Sequence, residues 1–178
     1  SRQIQIEQSL IAVPGTHLIL LRVRKDRPTS NQRSVLLNNV TYANTWGNPG
    51  SGGVVTFFVE NESVQSEIRI AIRCERSLLS PGDLGVLGFV VPDDAVDWRR
   101  YVRGVAWDGK ANLYSPVGER VRLVMFGMNR FRPAQSLFDM ESFQRWQELW
   151  GGTDADSRKA QVAFIRPTAP TDRWSSMP

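Results

Sequence analysis

Apolar residues recur along most of this chain at every second position, the spacing of a strand with one buried and one wet face. Gln3-Ile4-Gln5-Ile6 alternates, and Leu10 to Val13 runs into the Pro14-Gly15 turn. Thr16 to Arg24 puts His17, Ile19, Leu21 and Val23 on one side, and a polar loop containing Pro28 follows over 25–33. After Val35-Leu36-Leu37 and Val40-Thr41-Tyr42 comes a glycine-rich stretch, 44–53. It leads into Val54 to Val59, an unbroken β-branched and aromatic run that reads as a central strand. Val64 to Glu75 alternates through Ile68, Ile70 and Ile72, leaving Glu67, Arg69 and Arg73 on a wet face. Leu84 to Val91 is a second, almost wholly apolar strand. Pro92 to Tyr101 reads as a short helical turn started by Asp93, Asp108-Gly109 as a hairpin turn, and Glu119 to Phe126 as another alternating strand.

One stretch breaks that rhythm. Met140, Phe143, Trp146 and Trp150 step by three, three and four, which lines them along one face of a helix, with Asp139 as its N-cap and Gly151-Gly152 as its stop. Such a helix needs a large apolar partner, so it is expected to pack on the sheet with both indoles mostly buried. Asp154 to Ser157 is expected to cap a second short helix reaching Phe164. Strand-like runs between turn signals, with no strand–helix alternation, predict an antiparallel β-rich single domain over 1–165. The expected form is a sandwich or barrel with a C-terminal packing helix, and a Pro-rich tail covers 166–178. The abrupt start at Ser1 and the loose end at Pro178 suggest a fragment of something longer.

Composition narrows the chemistry. At 178 residues the chain has room for a sizeable core without staples. Its single cysteine, Cys74, follows Ile70 and Ile72 in alternation, so it reads as a small buried hydrophobe. One cysteine excludes an internal disulfide framework and a cysteine-based zinc site. No run approaches the ~18 apolar residues of a membrane span, and the N-terminus lacks the order of a signal peptide. The formal charge of +4 comes with nineteen Arg and three Lys, and Arg forks suit phosphate, carboxylate or acidic sugars. These charges are dispersed among acids without a dense basic stripe, so nucleic-acid binding is not expected.

His17 is the only histidine and no G-x-S-x-G is present, so neither a nucleophile–histidine device nor a multi-histidine metal site is expected. Asp93, Asp94 and Asp97 beside Trp98 form the densest acid cluster, which Arg99 and Arg100 would neutralise. The glycine-rich stretch lacks the GK[ST] ending of a phosphate loop. The sequons at Asn39 and Asn61 matter only in a secretory setting. No catalytic residue, metal or cofactor is therefore expected. Contacts of an attachment surface are enriched in Trp, Tyr and Arg on exposed loops. Trp46 and Asn48 in one loop, and Asp94 and Trp98 in another, are the candidate receptor-binding residues.

The C-terminal third carries a family resemblance. The strand Glu119 to Phe126, the helix ending Leu149-Trp150-Gly151-Gly152, then Thr153-Asp154 and the Lys159-Ala160 stretch to Phe164 resemble the C-terminal protruding domain of iflavirus capsid proteins. Trp46 in a polar loop before an apolar strand looks like the first half of that domain, and the likeness covers 40–165. The resemblance implies a spike domain on the virion surface, made in the host cytoplasm, assembling with other capsid subunits and engaging a host receptor or glycan. The Asp-His-Ser cluster proposed for that family has no counterpart, because Gly47 and Asn48 follow Trp46. The low lysine content suits a surface domain of another small RNA virus capsid equally well. The alternative from a different class is a carbohydrate-binding β-sandwich module, with exposed Trp as sugar platforms and Asp and Arg as hydroxyl partners.

Overall fold

The computed structural model describes residues 2–13, 17–23, 33–44, 52–59, 69–82, 84–91, 97–115, 123–128, 136–140 and 142–162. Strands dominate, but they run parallel, against the antiparallel sandwich or barrel expected from the pattern. The chain passes back and forth between two sheets. To the first it gives β1 (Arg2–Val13), β3 (Arg33–Asn44), β5 (Ile70–Glu75) with β6 (Leu78–Ser80), β8 (Val105–Lys110) with β9 (Leu113–Tyr114), and β12 (Arg158–Lys159). To the second it gives β2 (Ile19–Val23), β4 (Gly53–Val59), β7 (Gly85–Val91), β10 (Val124–Met128) and β11 (Ser136–Met140). Among the described residues each strand pairs in parallel with the one a turn further along, and only β10 and β11 pair antiparallel. The result is a coil, a β-solenoid whose two sheets curl into a half-barrel wall.

Why the sequence misleads on direction is a matter of connections. Parallel strands need a long crossover, most often a helix. Here the crossover is a strand of the other sheet, so no strand–helix rhythm is written into the sequence. Asp108-Gly109 is accordingly not a hairpin turn but the interior of β8, in register with Arg73 and Cys74 of β5.

The first sheet bends at one place in every turn. Gln8, Asn39, Arg76 and Ala111 have φ of 46, 53, 48 and 53°, the left-handed region that non-glycine residues seldom occupy. The pairings on either side (Glu7 with Asn38, Ser9 with Val40) put these residues at one level of the coil. The bend turns the inner face around the core. Along it, Ile4, Val35, Ile72 and Trp107 form one inward column, and Ile11, Tyr42, Leu79 and Tyr114 another.

A polar thread follows the inside of the bend. The Ser157 hydroxyl accepts from the Asn112 amide (2.8 Å), and Asn112 Oδ1 accepts from the Ser77 amide (3.0 Å). Ser77 Oγ in turn accepts from the Val40 amide (3.1 Å). These side chains satisfy backbone groups that the bend removes from the ladder.

In the second sheet, β4 and β7 are buried at nearly every position, as their unbroken apolar runs require. Phe57, Phe89 and Phe126 share one register, and the first two rings stack at 4.9 Å. Tyr101, on the short helix α1 (Trp98–Val102), closes over this row 5.1 Å from Phe126. The N-cap of α1 is Asp97, not Asp93.

The C-terminal helix exists but is shorter than its periodicity suggests. α2 (Phe143–Leu149) is capped by Ser142, whose side chain accepts from the Arg145 amide, while Asp139 and Met140 belong to β11. Trp146 is fully buried in the core cluster, and Trp150, partly buried, packs edge-on against it at 5.6 Å, so both indoles face the core as expected. The expected second helix after Asp154 is a run of turns leading into β12. The tail, 166–178, lies outside the described residues.

Candidate functional site

Parallel strands in register stack equivalent side chains about 4.8 Å apart. On the outer face of the first sheet this produces columns. Gln3, Ser34, Ala71 and Ala106 stand in one column, and Gln5, Leu36, Arg73 and Asp108 in the next but one along the strands. The first column is short after Gln3, so its neighbours stand up as a rim and a groove of about 680 Å³ crosses the turns. Asn38 and Glu75 continue the rim, and Thr153 stands at the end where the chain closes over Trp107. A groove of this size suits a small ligand or several units of a polymer.

The charged groups of the rim are already engaged with one another. Arg73 Nε donates to Glu75 Oε1 at 2.6 Å, and a terminal guanidinium nitrogen lies at 2.6 Å from the same oxygen. Asp108 Oδ2 lies 3.9 Å from Arg73 Nε. The side chains of Arg73 and Asp108 are 62% and 64% exposed, so both are reachable, while that of Glu75 is 19% exposed and packs into the wall. Arg73 thus stands on a wet face, as the alternation of its strand predicts.

A second polar cluster is sealed. Asp154 is fully buried, and its Oδ2 accepts from Tyr114 OH (2.5 Å), Trp146 Nε1 (2.6 Å) and Trp107 Nε1 (3.3 Å). Its Oδ1 has no hydrogen-bond partner among the described residues. A Cβ at Gly109 would collide with this carboxylate, which explains the glycine in mid-strand. Burial, and next the Asp154 charge, push the Tyr114 phenol well above its usual range. Fully buried, this cluster ties α2 to the last turn of the coil.

His17 precedes β2 and is half-buried, its Nδ1 2.8 Å from Thr56 Oγ1. Burial lowers its pKa below the ordinary imidazole value. Thr56 is itself fully buried. Cys74 is buried as expected, and burial pushes its thiol up to about 12.

Of the acid cluster, Asp97 caps α1 by accepting from the Arg99 amide and lies 3.7 Å from Arg100 Nε. Trp46, Asn48 and Asp94 lie outside the described residues, and Trp98 opens α1 with its side chain outside that description. How these four lie relative to one another is thus outside the described residues. Among the described residues there is no group of three or more metal-ligating side chains, and no helix is long and apolar enough to cross a membrane. Compared with known protein families, curated proteins and solved structures, the chain finds no match.

Proposed function

We propose that the chain is a non-enzymatic binding module that holds an extended glycan in the outer groove of its first sheet. On this reading the module serves attachment, as the capsid resemblance of the sequence implies, in the setting of a virion surface. The observation that carries it is the groove itself, crossing four successive turns at one register. A sugar chain lying along the coil meets an equivalent position about every 4.8 Å, close to the repeat of one pyranose ring. Sugars are amphipathic, with C–H faces and hydroxyl edges. The floor of Ser34, Ala71 and Ala106 suits the former, and the rim of Asn38, Arg73, Glu75 and Asp108 suits the latter, since together these offer both donors and acceptors.

The test is binding of the purified chain to an array of oligosaccharides, with the Ala106→Trp variant as the groove-blocking control. Ala106 is exposed on the outer face, so the substitution fills the groove without touching the core. Binding should fall at least tenfold with the melting temperature unchanged, and the bound oligosaccharide should be recovered intact. Adding the same oligosaccharide should release the chain from host cells. Unaltered binding by Ala106→Trp removes the groove from the reading, and shortened sugars would restore an enzyme. Variants at Trp46, Asn48, Asp94 and Trp98 probe the loop surface in the same assay.

A further inference from the structure

The groove's charges oppose the charge of the whole chain. Nineteen Arg and a formal charge of +4 favour polyanions in bulk. Yet the ionisable groups lining the groove are one cation, Arg73, and two anions, Glu75 and Asp108. The cation is already shared, since its Nε and one terminal nitrogen both sit 2.6 Å from Glu75 Oε1. A ligand carboxylate or sulfate entering here has two routes. It faces Asp108 and Glu75 directly, or it shares the remaining N–H groups of Arg73 and gathers a third anion around one cation. Neither is favourable. Sugar hydroxyls meet no such opposition, because they donate to the remaining lone pairs of both carboxylates without disturbing the Arg73–Glu75 pair.

We infer that the groove selects uncharged, hydroxyl-bearing glycans over polyanionic ones, and that Glu75 and Asp108 set this choice. The inference rests on the reading of the groove as a glycan site. It places specificity in two carboxylates rather than in the abundant arginines, whose dispersed charge would attract any polyanion weakly and in a salt-dependent manner.

The probes are hexasaccharides matched in linkage and differing only at C6: glucose with glucuronate, galactose with galacturonate, mannose with mannuronate. Titrations are run at physiological salt on the wild-type chain, on the Glu75→Gln/Asp108→Asn double variant, on Arg73→Gln and on Ala106→Trp, with melting temperatures checked for each. The expected result is tight binding of a neutral hexamer with its uronic partner at least tenfold weaker. In the double variant, which frees Arg73, the ratio should shrink tenfold or more toward the uronic partner. A wild-type preference for the uronic member that disappears in Arg73→Gln would overturn the inference and leave the groove standing. So would equal binding of both members, or an unchanged ratio in the double variant. No binding by any hexamer, or binding indifferent to Ala106→Trp, would overturn the glycan reading itself and the inference with it.

Discussion

The two ends of the coil are finished in opposite ways. At one end, α2 and the turns after it cover the last full turn, with Trp146 fully buried 5.0 Å from Trp107 and 6.0 Å from Tyr114. Three donors from β8, β9 and α2 converge on one buried carboxylate. At the other end, β1 pairs with β3 along one edge and, among the described residues, with nothing along the other. The exposed large apolar side chains of the described residues gather there or next to it, with Leu10 75%, Leu20 45% and Ile4 39% exposed. In a stacked architecture each turn leans only on its neighbours, so stability is a sum of local terms and the ends decide how much of it survives. The contrast teaches that this chain concentrates its stability where helix and coil meet and thins toward β1.

The sharpest way to break that comparison is to remove the largest side chain of the capped end. Trp146→Ala should lower stability by roughly 3–5 kcal/mol, the usual range for a buried tryptophan. Its counterpart at the open end, Leu10→Ala, should stay within about 0.5 kcal/mol, as exposed positions do. Urea unfolding of both variants measures the difference, and comparable losses would mean the two ends are equally tight.

A second, smaller effect comes with alkaline pH. The Tyr114 phenol is raised by burial and by Asp154, and the Cys74 thiol beneath it is raised to about 12. Groups whose pKa is higher in the folded state keep their stabilising contribution below their unfolded values, about 8.5 for a thiol and about 10 for a phenol. That contribution is lost as pH rises through the folded values. The melting temperature should therefore hold to about pH 8.5 and decline above it, and Tyr114→Phe should flatten part of the decline. His17 acts in the opposite window: its lowered pKa makes stability fall as pH drops below about 6.5. A melting temperature flat between pH 8 and 11 would contradict the buried placement of Tyr114.

The smallest effect sharpens the comparison at the backbone. Ala111 and Gln8 share the left-handed conformation at the bend, one beside the cap and one on the edge strand. Glycine removes the Cβ strain of that conformation. Ala111→Gly should gain up to about 1 kcal/mol, and Gln8→Gly less, because an edge strand paired on one side only relaxes more easily around a strained residue. A larger gain at Gln8 would show that the edge turn is held as firmly as the capped one.

Much of this was legible in the residues, and the rest was hidden for physical reasons. Unbroken apolar runs placed β4 and β7, and alternation placed β5, the burial of Cys74 and the exposure of Arg73, because burial of one strand face leaves a period of two whatever the pairing. Direction was not in that signal. It was in a repeat instead. Residues 33–42, 70–79 and 105–114 share an apolar first, third and fifth position in the order Arg33-Ser34-Val35, Ile70-Ala71-Ile72 and Val105-Ala106-Trp107, broken by Arg33 and later by Gly109. The bend was masked because its residues are Gln8, Asn39, Arg76 and Ala111, of which only Asn39 favours a positive φ.

Asp154 looked like a helix cap because its three donors come from residues 8, 40 and 47 positions away. The groove was invisible for a similar reason. Ser34, Ala71 and Ala106 are unremarkable singly, and they become a floor only when parallel register stacks them.

The recurring bend has a consequence for how such a chain can change. Every turn of the first sheet carries its left-handed residue at the same level, followed by the polar thread that runs from Ser157 to Val40. Inserting one residue within a turn would carry every later side chain of that strand to the wrong face and break the thread. Inserting a whole turn would leave every column intact and lengthen the outer surface by one strand spacing. Length in this protein is thus a quantity that comes in units, and the number of turns sets the number of equivalent side chains in each outer column.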